Sequence, residues 1–221
     1  MPTAPSRSPA RPSPVCTTAS ASSRAPAARH AVLPVVLESV RVRLDVPTRR
    51  DTAAIVAGCQ DPDVARWTTV PMPYGPEHAR SFVDALVGPG WASDREYTWA
   101  IRRAGSSLLE GVIGYRTERR DVGFWLAPSA RGLGLMHDAL ELVVTWAFEQ
   151  GAPDVAWECY EGNLASAAVA RAAGFAFTGS GPAANPGRDG GPTPAWHARR
   201  RADGAPASDL SWPTASFAHS V

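Results

Sequence analysis

The sequence contains no lysine: all 22 of its basic side chains are arginine, set against 21 acidic ones for a net charge of +1. With the two signs mixed along the chain, this balance offers no basic face for nucleic acid and no polybasic stretch for an anionic membrane. Cysteine is scarce. Cys16, Cys59 and Cys159 form no CxxC pair and no disulfide framework, which fits a reducing, cytoplasmic setting. Long apolar runs are missing: Ala31 to Leu37 is short and interrupted by Pro34, so no segment is expected to span a bilayer. The histidines (His30, His78, His137, His197, His219) show no metal-ligand spacing, and no metal is expected. Neither a Walker loop nor a dinucleotide Gly-x-Gly-x-x-Gly occurs, and no acid is placed beside the one glycine-bearing turn for Mg²⁺ or ribose, which disfavours a nucleotide-phosphate binder.

Acids are also absent from residues 1–37, where Pro, Ala, Ser and Arg dominate. The repeated prolines oppose the amphipathic helix of a transit peptide, so residues 1–36 are expected to be a disordered extension. Residues 202–221 are expected to be a disordered tail in which Trp212 alone docks, leaving residues 37–201 as one domain large enough to bury a core.

Periodicity supplies the elements of that domain. Val40 to Val46 alternates apolar and charged residues as a half-buried strand does, and Pro47 closes it. Thr48-x-x-Asp51 has the form of a capping box for a helix to about Cys59, and a proline-rich loop to Tyr74 follows. A second helix is expected over Pro76–Leu86, then a turn at Gly88-Pro-Gly-Trp91, then strands at Tyr97–Ile101, Gly111–Tyr115 and Val122–Leu126. A helix from Leu135 to a stop at Gly151, a strand over Val155–Tyr160 and a helix from Asn163 to a stop at Gly174-Phe175 complete the central part. Phe175–Thr178 and Ala195–Arg200 are the last expected strands, separated by a Gly/Pro-rich stretch in place of an orderly hairpin.

The chemistry concentrates between Asp121 and Gln150. There a strand ends at Pro128 and is followed by Arg131-Gly132-Leu133-Gly134 and then a helix. Unpaired amides at a helix start, with the positive end of the macrodipole, can hold a phosphate or pyrophosphate, and the glycines let the backbone approach it. Arg131-x-x-Gly134-x-Met136 after Phe-Trp-Leu-Ala-Pro resembles the Gln/Arg-x-x-Gly-x-Gly/Ala acetyl-CoA loop of the GNAT superfamily of N-acetyltransferases, with Met136 in place of the usual Gly or Ala. Asn163-x-x-Ser166 before a helix closing in Gly-Phe resembles the branch that acetylates ribosomal-protein amino termini.

That resemblance, specific from Gly111 to Phe175, implies an α/β (α+β) fold. It would have a mixed, mostly antiparallel central sheet of six to seven strands, about four helices, and two strands splayed around the cofactor's pantetheine. It implies an acetyl-CoA-dependent N-acetyltransferase, with acetyl-CoA bound by Leu126, Arg131, Gly132, Leu133, Gly134, Leu135, Met136 and Asn163. Glu158 is the candidate base, with Glu161 in reserve, and Ser166 the candidate proton donor, since the tyrosine many members place seven residues after the Asn is here Ala170. Trp67 and Tyr74, with Trp91 near them, are candidate substrate walls, whereas Trp125 and Trp146 are assigned to the core. The acceptor would be a primary amine, on a peptide terminus or a small molecule. A homodimer is left open, and a non-catalytic acyl-CoA-binding module is the alternative reading.

Overall fold

In the computed structural model, residues 34–188 and 190–213 are described, together with Met1. The expected extension over residues 1–36 therefore lies almost wholly outside the described residues. The described residues from Pro34 onward form one compact unit.

Its centre is an eight-stranded sheet in the order β1-β2-β3-β4-β5-β6-β8-β7: β1 Leu37–Glu38, β2 Val42–Asp45, β3 Glu96–Arg103, β4 Gly111–Arg116, β5 Asp121–Leu126, β6 Asp154–Tyr160, β7 Ala176–Pro182 and β8 Pro194–Arg201. Every neighbouring pair is antiparallel except β5 and β6. The helices are α1 Thr52–Cys59, α2 Pro62–Trp67, α3 Pro76–Ser81, α4 Gly88–Ala92, α5 Leu135–Glu149 and α6 Leu164–Ala172. No helix among the described residues is long and apolar enough to cross a membrane.

Strand alternation sorts the side chains onto two faces. Tyr97, Trp99 and Ile101 of β3, Ile113 and Tyr115 of β4, and Val155, Trp157 and Cys159 of β6 enter the main core under α5, which contributes Leu135, Met136, Ala139, Leu140, Val143, Val144, Trp146 and Ala147. Trp91, Tyr97, Trp99, Tyr115 and Trp146 meet edge-to-face or tilted at 4.8–6.3 Å between centroids, contacts worth about 0.5–1.5 kcal/mol each beyond area burial. The opposite face carries Ala100 and Val112 under a smaller cluster built from Ile55, Cys59, Tyr74, Ala79 and Val83.

Several expectations change. The first strand is a hairpin: Ser39 Oγ accepts from the amides of Arg41 and Val42, turning the chain so that Val40 is 93% exposed and, of Val40–Val46, only Val42–Asp45 joins the sheet, with Leu37–Glu38 paired beside it. The proline-rich stretch holds α2, because Asp61 Oδ1 accepts from Val64 N, a side-chain cap, with Pro62 at the first helical position. The Gly88–Trp91 turn is helical instead: α3 runs through a π-helical segment, Phe82–Val87, into α4. The sixth expected strand extends to Pro182 and pairs with β8 from Ala176↔Arg199 to Pro182↔Pro194, so the Gly/Pro stretch is the tip of a hairpin, with a register shift between Phe177 and Gly179. Trp212 docks as anticipated, its ring 5.6 Å from Trp157 and 5.7 Å from Phe177.

Candidate active site

Two local features open one cleft. β5 pairs with β4 along its whole length, but its ladder with β6 consists of Asp121↔Ala156 and Val122↔Trp157 alone. Beyond Val122 the strands part, leaving the β5 edge from Gly123 to Leu126 facing a gap. At the end of that gap the chain turns through Gly132 (φ +74) and Gly134 (φ +75), left-handed conformations that disfavour other residues, and enters α5. The first-turn amides of α5 have no helical carbonyl to accept them, so this end of the cleft presents donors and a positive dipole. The cleft encloses about 760 Å³ and continues from this turn, past the parted strands, to the sheet face opposite α5. Unpaired strand edge, left-handed glycines and donor-rich turn suit a long flexible arm carrying a pyrophosphate.

Of the residues expected to bind the cofactor, Leu126, Arg131, Gly132, Gly134, Leu135, Met136 and Asn163 line the cleft, whereas Leu133 points away, 46% exposed. Arg131 is held by carboxylates rather than free in the cleft. Its guanidinium bonds Asp61 and lies 3.0 Å from Asp63 Oδ2, with Leu126 O accepting at 3.2–3.3 Å, so the turn is braced against α2. Met136 is 5% exposed and packs in the main core. The Asn163 side chain caps α6 by accepting from Ser166 N at 3.1 Å, and α6 closes with Phe175 N donating to Ala170 O and Gly174 N to Arg171 O, the Schellman pattern.

Ser166 lines the cleft with its hydroxyl oxygen accepting from Trp157 Nε1 at 3.2 Å, which leaves the hydroxyl proton free to donate. Glu158 lines the other end. Its two oxygens accept from Ala184 N at 3.2 and 3.1 Å, and His197 Nδ1 stands 3.7 Å away, so this carboxylate ties the β7–β8 loop to β6. Ala170 is fully buried, and Glu161 is exposed outside the cleft lining.

The aromatic expectations divide. Trp67 lines the cleft and reaches across to the β6–α6 turn, where a methyl on Gly162 would lie 3.7 Å from it. Tyr74 is corrected from substrate wall to core: it is 5% exposed and lies with Cys59 in the smaller cluster. Trp91 is likewise core, its indole donating to Thr98 O. Trp125, assigned to the core, is half-buried on the cleft wall, packed on Gly58, where a methyl would meet the indole at 2.3 Å. Trp146 is core as expected.

Sequence reasoning missed the polar floor on the face opposite α5. Glu96 and Thr98 of β3 and Arg116 of β4 line the cleft there, and Arg116 is held by Asp121 through two bonds of 2.8 Å. Gly114 and Gly123, partners in the β4–β5 ladder, leave the floor hollow. The signal was present in Glu96-Tyr-Thr98-Trp, where polar residues alternate with core aromatics at the strand period. Among the described residues no cluster of three His, Cys, Asp or Glu could hold a metal.

The family model of the acetyltransferase (GNAT) domain matches residues 41–176. No curated protein matches the sequence. Among solved structures, RimL, a ribosomal L7/L12 alpha-N-protein acetyltransferase in complex with coenzyme A, superposes with a TM-score of 0.66 at 19% identity, covering 77% of this chain and 100% of its own. The ribosomal-protein-S5-alanine acetyltransferase of Vibrio fischeri gives 0.64 at 18% identity over 76% of this chain and 97% of its own. The microcin C7 self-immunity acetyltransferase MccE, in complex with acetyl-CoA and AMP, gives 0.65 at 14% identity over 74% and 93%. At these identities the structures speak for the fold, while the family match spans more than half of the chain: it belongs to the GNAT acetyltransferase family.

Proposed function

We propose that this protein transfers the acetyl group of acetyl-CoA to a primary amine by direct attack in a ternary complex. The observation that carries the reading is the parting of β5 and β6 after Val122, beside the glycine turn, within a cleft whose far end is lined by carboxylates. The turn amides of residues 132–137 and the braced Arg131 would hold the pyrophosphate, and the open β5 edge from Gly123 would orient the arm that delivers the thioester. Asn163 and Trp157 fix Ser166, whose free hydroxyl proton can pass to the departing sulfur. Glu158, anchored by Ala184, places negative charge at the end where a protonated amine would arrive. A peptide α-amine with a pKa near 8 needs only about 1 kcal/mol to lose its proton at pH 7, against roughly 4.6 for a lysine-like amine.

Titration calorimetry with acetyl-CoA, and with ATP and NADH as controls, tests the reading. Acetyl-CoA and CoA should bind in the micromolar range and the controls should not. Arg131→Ala should weaken both by about tenfold or more, because it removes the guanidinium and leaves Asp61 and Asp63 uncompensated beside the phosphates. Unchanged affinity would refute the assignment of the turn. CoA binding without CoA release from any primary amine would favour the non-catalytic module.

A further inference from the structure

Glu96 is half-buried at the start of β3, on the sheet face opposite α5, and its side chain has no hydrogen-bond or ion-pair partner among the described residues. Two places along the same strand face, Thr98 is 2% exposed and its Oγ1 is the one buried side-chain polar atom among the described residues without a partner. Both atoms look over Gly114: a methyl there would stand 3.1 Å from Glu96 Oε1 and 3.8 Å from Thr98 Oγ1. A buried hydroxyl left without a partner is destabilising, so the pair describes a polar niche prepared for a donor that arrives from outside. The niche opens into the acetyl-transfer cleft, across the parted strands from Ser166.

Resting on the acetyl-transfer reading above, we propose that this niche receives the acceptor's ammonium group and that Glu96 is the base that takes its proton. The carboxylate of Glu96 accepts one proton from R–NH₃⁺ while Thr98 Oγ1 holds a second N–H. The neutral nitrogen then attacks the thioester carbon, the C–N bond forms and the C–S bond breaks. The nitrogen's surplus proton reaches the departing sulfur through Ser166, and Glu96 returns its own proton to solvent.

Electrostatics support the assignment. Burial pushes the Glu96 carboxyl above its ordinary value; Arg116 on β4 and Arg119 in the β4–β5 turn oppose that rise, and Asp121 on β5 adds to it. Glu158 on β6 faces Arg116 from across the gap. A carboxylate made more basic is the better match for an ammonium. Glu158, by contrast, accepts the Ala184 amide between its two oxygens and is engaged in holding the β7–β8 loop.

The test uses the full chain, wild type and with Glu96→Gln or Glu158→Gln, and three acceptors: n-butylamine, spermidine and the peptide amide Ala-Ala-Ala-NH₂. The wild type should show kcat/KM for the amine that is flat between the pKa of Glu96 and that of the amine. In Glu96→Gln only free amine reacts, so the rate at pH 7 should fall by about a thousandfold for an amine of pKa near 10.4 and climb tenfold per pH unit toward that pKa. Acetyl-CoA affinity by calorimetry should be unchanged, which also reports folding. Glu158→Gln should lower the rate but keep the flat profile.

A Glu96→Gln enzyme with the wild-type profile would overturn the proposal, as would the steep profile appearing in Glu158→Gln instead. A readout independent of turnover comes from ¹³C-carboxyl NMR. The signal missing in Glu96→Gln should titrate above the ordinary glutamate value of about 4.3 and shift on adding n-butylammonium, and a signal that does neither overturns the assignment. Absence of acetyl-CoA binding in the wild type would instead defeat the acetyl-transfer reading itself.

Discussion

At the scale of single residues, glycines and the side chains around them decide what the cleft can hold. Gly114 is needed for space: its backbone is ordinary, and a methyl would intrude between Glu96 and Thr98. Gly114→Ala should therefore raise the KM for the amine about tenfold or more while leaving acetyl-CoA affinity unchanged, read by steady-state kinetics alongside calorimetry. An equal loss for both substrates would show that the niche does not serve the acceptor. Gly132 and Gly134 are needed for conformation, having φ of +74 and +75. Met136 shows why a departure from a short motif can be harmless: its side chain turns into the main core, so the bulk that replaces Gly or Ala fills space under α5 rather than the turn.

At the scale of elements, the second half of the chain was more fully legible than the first, for a physical reason. α5 and α6 carry their stop and start signals in neighbouring residues, with Gly134 before the first, and Asn163 and Gly174-Phe175 around the second, so local chemistry specifies them. The strand gap is non-local. It depends on β6 leaving β5 after two pairs and taking β8 as its other neighbour, which no periodicity encodes. The same applies to Glu96, whose importance comes from standing over Gly114 of another strand, and to Trp125, whose cleft-facing position follows from its packing on Gly58 of α1. Tyr74, in a proline-rich loop, had the sequence character of a substrate contact, yet the loop buries it in the smaller cluster with Cys59.

The β7–β8 loop is another element whose role is fixed at a distance. Arg188 donates to Ala65 O at 2.7 and 3.2 Å and to Thr68 O at 3.1 Å, while Glu158 holds Ala184 and Asn185 lines the cleft. Because the tie reaches the carbonyls at the C-terminal end of α2, Arg188→Ala should speed amide hydrogen exchange at Ala184 by about tenfold, the loss of roughly 1.4 kcal/mol of local stability. Exchange at the α5 amides should be unaffected. Equal acceleration in both would mean that Arg188 supports the whole domain rather than the loop.

At the scale of the whole molecule, the two helical layers are tied to the sheet by different means. α5 is held by the main apolar core, whereas the layer carrying α1 adds a largely buried ionic cluster to its smaller apolar cluster on Ala100 and Val112. Arg102 of β3 bonds Asp51 at 2.8 and 3.1 Å and Asp45 at 2.7 Å, with side chains of Arg102 and Asp51 only 9% and 8% exposed. Burial alone would raise the Asp51 carboxyl; its bonds from Arg102 and from Thr48 overcome that and hold it below its ordinary value. A carboxyl depressed in the folded state contributes stability that is complete above its unfolded pKa of about 3.9 and is lost as pH falls through its folded pKa. Arg102→Met keeps most of the volume but strands Asp51, at a cost of about 3–5 kcal/mol at pH 7. In that variant Asp51 keeps its bonds from Thr48 but loses those from Arg102, so it protonates at higher pH than in the wild type and the penalty begins to relax before the wild type has lost its own contribution. Urea unfolding at pH 7 and at pH 3 should therefore show the stability gap between wild type and variant narrowing sharply on acidification. A gap of the same size at both values would assign the loss to packing around β3, and the ionic cluster would then have no part in holding α1 against the strand that carries Glu96 and Thr98.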